Sequence, residues 1–143
     1  MCQPVVTLSF DYTYTDAKEE TQYVTRRATY TPKDLFKGSL TYWAPFGLTA
    51  VATVRYVGGR YFYGSDQTIT DPEDTLDSYT TLDMRLEQRL LENWIFSLEG
   101  NNLFNKSYDT YFGSFTDPAT WQTSLGKYPG SGRSVFFQVA YEL

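Results

Sequence analysis

Val6-Thr7-Leu8-Ser9-Phe10-Asp11-Tyr12-Thr13-Tyr14-Thr15 alternates without a break: every even position is apolar or aromatic and every odd one polar. Successive side chains of an extended strand point to opposite faces, so this stretch has one greasy face and one wet face. Five more stretches read the same way. Leu35 to Trp43 sets Phe36, Leu40 and Tyr42 against Lys37, Ser39 and Thr41, and Leu48 to Arg60 sets Leu48, Ala50, Ala52, Val54 and Tyr56 against Thr49, Thr53 and Arg55. Tyr79 to Leu90 opposes Leu82, Met84 and Leu86 to Asp83, Arg85, Glu87 and Arg89. Trp94 to Asn102 opposes Trp94, Phe96 and Leu98 to Ser97 and Glu99. Arg133 to Leu143 opposes Val135, Phe137, Val139, Tyr141 and Leu143 to Ser134, Gln138 and Glu142. The pattern predicts an all-β, antiparallel meander of six strands.

Composition agrees and excludes much else. In 143 residues there are 13 Tyr, 10 Phe and 3 Trp, 18% aromatic, and aromatics together with abundant Thr favour strands. Twelve basic against seventeen acidic residues leave a net charge of −5, which argues against an electrostatic grip on nucleic acid. The chain contains no histidine, so serine–histidine triads, histidine acid–base chemistry and histidine-ligated metals are excluded; no catalytic residue, metal or cofactor is expected, and an outer-membrane lipase or protease is disfavoured. A single cysteine, Cys2, cannot form an internal disulfide. Met1-Cys2-Gln3-Pro4 leads straight into the first strand, with no pattern of a secretory signal, and no run of apolar residues is long enough for a transmembrane helix. The mean hydropathy of −0.43 does not exclude a membrane barrel, whose lipid-facing and lumen-facing residues alternate and average out polar.

Strand length and loop length point to that barrel. Each predicted strand runs roughly 9–13 residues, against about 5–6 in soluble domains. Ten residues tilted near 45° rise about 23 Å, close to the apolar band of an outer-membrane barrel. The connections around Pro45-Phe46-Gly47 and Leu91-Glu92-Asn93 are short, whereas Asp16–Asp34, Tyr61–Ser78 and Leu103–Gly132 are long. Short turns on one rim and long loops on the other match periplasmic turns and extracellular loops. Aromatics gather at both rims: Tyr12, Tyr14, Tyr56 and Tyr61 towards the loops, Trp43, Phe46, Trp94 and Tyr141 towards the turns. No repeat, linker or domain boundary interrupts the chain.

Four segments, in order, carry a family resemblance. Val54-Arg55-Tyr56-Val57-Gly58-Gly59-Arg60-Tyr61 resembles an R-Y-x-G-x-R-Y strand end, and Tyr79-Thr80-Thr81-Leu82-Asp83-Met84-Arg85-Leu86 a Y-x-x-L-D-x-x-L strand. Asn101-Asn102-Leu103-Phe104-Asn105-Lys106-Ser107-Tyr108 is similar to an N-L-F-D-K-x-Y signature, and Tyr128-Pro129-Gly130-Ser131-Gly132-Arg133 to a Y-P-x-P-G-R lead into a closing strand. All four resemble TonB-dependent outer-membrane receptors of the siderophore and cobalamin type. Asn105 stands where the family usually has Asp, Gly130-Ser131-Gly132 is longer than its counterpart, and the chain ends on Leu143 rather than Phe. The resemblance implies that residues 1–143 are the C-terminal segment of a 22-stranded barrel, without the plug domain and signal peptide. It implies a location in the bacterial outer membrane, in contact with lipid and lipopolysaccharide. The implied partners are the receptor's own plug, the TonB system acting through the missing part, and a ferric siderophore or cobalamin as ligand.

The expected sites follow from that frame. Tyr61, Tyr63, Tyr111, Phe112, Phe115 and Trp121, with Phe62, crowd two of the long loops and offer faces for stacking on a chelate or corrin ring; a girdle or loop packing is the plainer reading of each. Arg55, Asp83, Arg85, Glu87, Arg89 and Glu99 fall on one face at period two and are expected to form a lumen-facing, plug-facing charge ladder. Asp71, Glu73, Asp74 and Asp77 lack the spacing of a calcium loop and read as a solvated acidic loop. Asn101, Asn102 and Asn105 suit a left-handed strand exit. Two other architectures fit parts of the pattern: a complete small barrel that recruits Gln22–Tyr30 and Tyr108–Phe115 as further strands for a structural or adhesion role, and a soluble β-sandwich binding module.

Overall fold

The computed structural model describes residues 3–91 and 93–142. Six strands form one antiparallel sheet: β1 (Val5–Tyr14), β4 (Asp34–Trp43), β5 (Leu48–Val57), β8 (Tyr79–Leu90), β9 (Trp94–Asn101) and β12 (Ser134–Tyr141), paired in that order. Cys2, the turn residue Glu92 and the predicted reach of the last strand to Leu143 lie outside the described residues. Among the described residues there is no helix.

Register explains the two faces. Leu8, Leu40, Ala52 and Met84 are aligned across β1, β4, β5 and β8, and Leu86, Leu98 and Phe137 across β8, β9 and β12. These belong to a face whose large apolar side chains are exposed, Phe10 and Phe137 to more than two thirds. The opposite face aligns Asp11, Lys37 and Arg55, then Thr53 with Asp83, then Arg85 with Glu99. One face of the sheet is therefore apolar and exposed and the other polar, the two-sided pattern expected of a barrel wall. Trp94 packs against Tyr141 at 5.0 Å between ring centroids on the turn-side rim. Trp43 departs from the expected girdle, because register with Thr49 puts it on the polar face, and its neighbour Tyr42 takes the apolar one.

The third predicted strand ends early. Val57 is its last residue, and Gly58 donates to the Asp34 carbonyl at 2.8 Å, where β4 itself begins. With no partner beyond that point the chain leaves the sheet. The turn between β4 and β5 is closed by Gly47, whose φ of 85° belongs to the left-handed region.

Each long connection carries a hairpin of its own, which the periodicity did not reveal. β2 (Lys18–Glu20) pairs with β3 (Thr25–Arg27), β6 (Arg60–Phe62) with β7 (Asp74–Leu76), and β10 (Asp109–Thr116) with β11 (Thr123–Pro129). The stretches that an eight-stranded barrel would have recruited do contain strands, β3 and β10, but these pair inside the loops and not with the wall. The wall sheet remains six-stranded, with β1 and β12 at its edges.

Candidate functional site

The buried apolar side chains among the described residues, Tyr63, Leu76 and Phe112, all lie in the loop hairpins. Tyr30, Phe62 and Phe112, one from each long connection, stack in series at 5.7 and 4.9 Å. The Tyr30 hydroxyl closes the group by donating to the Phe112 carbonyl at 3.2 Å and accepting its N–H at 3.1 Å. Arg26 ties the first connection to the second. Its guanidinium lies 4.4 Å from the Tyr63 ring and donates to the Asp66 carbonyl (2.7 Å), the Ile69 carbonyl (3.3 Å) and the Glu19 carboxylate (3.0 Å). Arg60 ties the second to the third by donating to the carbonyls of Asp109 (2.7 Å) and Thr110 (2.8 Å). Lys127 adds a bond to the Thr75 carbonyl at 3.1 Å and an ion pair with Asp74 at 3.3 Å. Hydrogen bonds from Arg26 and Thr29 hold the Glu19 carboxyl below its ordinary pKa, and the Thr75 N–H, aided by Lys127, does the same for Asp74. Three connections far apart in sequence thus form one packed body over one rim of the sheet.

The polar face of the wall carries a ladder of charges. Arg55 sits 3.4 Å from Asp83, Arg85 reaches Glu87 at 3.0 Å and Glu99 at 3.7 Å, and Arg89 reaches Glu142 at 2.9 Å. Lys37, Thr53, Arg55, Asp83, Arg85 and Glu99 are among the residues lining a recess of about 220 Å³ on this face. The alternating signs are mutually compensated, and the pairs are half-exposed, so they shape the surface more than they stabilise the fold.

The sequence matches the family described as TonB dependent receptor-like, beta-barrel, over residues 5–103. The chain belongs to that family. Solved structures resemble it in fold. The ferric-catecholate import receptor Fiu from E. coli, in its closed form, superposes with a TM-score of 0.69 at 23% identity, covering 95% of this chain and 18% of that one. The siderophore receptor PiuA from Acinetobacter baumannii gives 0.65 at 21%, covering 95% and 19%. The ferric yersiniabactin uptake receptor FyuA from Yersinia pestis gives 0.62 at 24%, covering 82% and 17%. The chain therefore spans less than a fifth of each of these receptors. A comparison with curated proteins finds no significant match. TonB-dependent receptors are bacterial outer-membrane transporters and not enzymes, and the similarity falls on the C-terminal part of their barrel.

Within the receptor barrel, the predicted loop aromatics divide by burial. Tyr63 and Phe112 are 3% and 7% exposed and serve as loop core, the plainer of their two readings. Tyr61 is half-buried beneath the Arg27 guanidinium, 4.8 Å from the ring centroid. Tyr111 is open on one side and stacks on Tyr128 at 4.4 Å on the other. Phe115 and Trp121 are exposed, Trp121 to 82% at the hairpin tip with φ of 57°. Asp83, Arg85, Glu87, Arg89, Arg55 and Glu99 share the polar face of the sheet as the ladder just described.

The four receptor-like segments converge in space. Arg60 from the first lies 5.8 Å from the Tyr79 ring of the second, and Tyr79 stacks on Tyr108 of the third at 4.0 Å. Gly130 of the fourth packs on Tyr108, leaving no room there for a Cβ, and donates to its carbonyl at 2.7 Å. Asn102 and Asn105 take φ of 48° and 50°, the left-handed exit that their residue type suggests. Sequence reasoning missed Arg26, Tyr30 and Lys127 as organisers of the loops. The R-Y motif was the one available signal for Arg60.

Proposed function

We propose that the chain supplies barrel wall, charged lumen surface and ligand-side loops to a TonB-dependent receptor that takes up a ferric siderophore or a similarly large, scarce nutrient across the outer membrane. The observation that carries this reading is the loop body. Three connections locked together by Arg26, Arg60 and the Tyr30–Phe62–Phe112 stack give a rigid platform, and Tyr111, Phe115 and Trp121 stand exposed on it. Flat aromatic faces fixed on a rigid support suit stacking on the aromatic or conjugated arms of an iron chelate. The charges of the polar face would meet the plug, and transport would be powered from the inner membrane through parts of the receptor beyond this chain. A six-stranded sheet with two unpaired edges is not stable in hydrocarbon alone, which favours membership of a larger barrel over a complete small one.

The test is a chimera in which residues 5–142 replace the structurally equivalent part of Fiu, expressed in a strain without its own catecholate receptors. TonB-dependent uptake of iron from a ferric catecholate, hydroxamate or phenolate chelate is expected. A chimera that is folded in the outer membrane yet delivers none of these, nor cobalamin, contradicts the proposal.

A further inference from the structure

Asp83 was expected among the lumen charges, but its two carboxylate oxygens face different partners. Oδ2 is 3.4 Å from the Arg55 guanidinium, whereas Oδ1 accepts the backbone N–H of Asn102 at 2.8 Å. Asn102 is buried, in the left-handed conformation, at the point where β9 leaves the wall. Its side-chain amide donates to the Lys106 carbonyl (2.9 Å) and the Ser131 carbonyl (3.1 Å), and its Oδ1 accepts the Lys106 N–H at 2.9 Å. Lys106 lies just before β10 and Ser131 just after β11, so one side chain clamps both ends of the last loop hairpin. The neighbouring Leu103 N–H bonds to the Leu82 carbonyl at 2.8 Å, beside Asp83 on β8. The clamp is thus anchored to a second wall strand through residues 82 and 83.

We propose that Asp83 is a positioning residue: through Asn102 it fixes the base of the β10–β11 hairpin, and with it Tyr111, Phe115 and Trp121, over the barrel mouth. A carboxylate oxygen bound to a backbone N–H orients that N–H, and Asn102 carries the constraint to both ends of the hairpin. The role needs an acceptor oxygen and not a negative charge, which separates it from a charge that meets the plug. This inference rests on the receptor reading above.

The experiment uses the chimeric receptor with nitroxides at Thr49→Cys on the turn side and Ser124→Cys on the hairpin; residues 5–142 bring no cysteine of their own. The distance distribution between the labels and the KM and maximal rate of ferric-chelate uptake are measured on folded receptor. Asp83→Ala is expected to broaden the distribution at least twofold and raise KM about tenfold, the scale of one lost charge-assisted hydrogen bond, with the maximal rate little changed. Asp83→Asn keeps an acceptor oxygen and is expected to restore the narrow distribution and bring KM back down. Asn102→Gly, which tolerates the left-handed φ but releases Lys106 and Ser131, is expected to broaden the distribution as well, and it carries the test if Asp83→Ala does not fold. A normal distribution in folded Asp83→Ala or Asn102→Gly, or failure of Asp83→Asn to narrow a distribution that Asp83→Ala broadens, overturns the proposal. Loss of uptake in the unsubstituted chimera instead overturns the receptor reading.

Discussion

Single side chains in this chain act mostly through backbone carbonyls that lie far away in sequence. Arg26 is the most buried of these: two of its acceptors belong to residues 40 and 43 positions downstream, and it is 7% exposed among them. Truncating it leaves two carbonyls and Oε1 of Glu19 without the Arg26 donor and opens the face of Tyr63. Arg26→Ala should destabilise the loop body by about 3 kcal/mol. Hydrogen exchange over residues 61–76 would show the protection of that segment lost while the wall strands keep theirs. Acid should act on this joint through Glu19 and on the Lys127 tie through Asp74. Glu19 and Asp74 are held below their ordinary pKa in the folded state, so their contribution to loop order is complete above the usual carboxylate pKa of about 4 and is lost as the pH falls through the lowered folded values. The fluorescence of Trp121, in the third loop, is expected to report loosening below that range and none between neutral pH and about pH 5. At Gly130 the constraint is space: Gly130→Ala would drive Tyr108 off Tyr79 at an expected cost of about 1–3 kcal/mol, measurable as a lower urea midpoint.

At the scale of elements, the wall follows from period two sustained over eight to twelve residues, and its two faces have opposite tolerances. Leu98→Arg on the apolar face should cost about 2–4 kcal/mol and reduce the fraction of heat-modifiable folded barrel, whereas Gln138→Arg on the polar face should leave it unchanged. The same periodicity made all six wall strands legible in the sequence to within a residue or two, apart from the end of the third. That end depends on where β4 starts, a pairing fact that no local pattern carries. The first two loop hairpins were not legible because strands as short as Thr25–Arg27 hold too few alternations, whereas β10 is as long as a wall strand but Asp109–Thr116 does not alternate apolar with polar. The charge ladder was legible because its members share one parity. The loop aromatics were legible only as a group. Adjacent residues of a strand face opposite ways, so Tyr111 and Phe112 could not both point outward once β10 formed, and the structure turns Phe112 in.

For the whole molecule, the sheet's two open edges, its apolar outer face and the single packed body of loops at one rim describe a wall segment and its outer rim. The family match and the likeness in fold to three solved receptors are consistent with that description, and the ladder and recess lie on the polar face of the sheet. The central claim is one of orientation: long loops outside the cell, short turns in the periplasm. The measurement that tests it most directly is labelling of the chimeric receptor on intact cells with a membrane-impermeant maleimide, using Trp121→Cys in the last loop and Phe46→Cys in the first short turn. The account predicts that Trp121→Cys is labelled on intact cells and Phe46→Cys only after the outer membrane is permeabilised. Labelling of Phe46→Cys on intact cells, with Trp121→Cys protected, would contradict it.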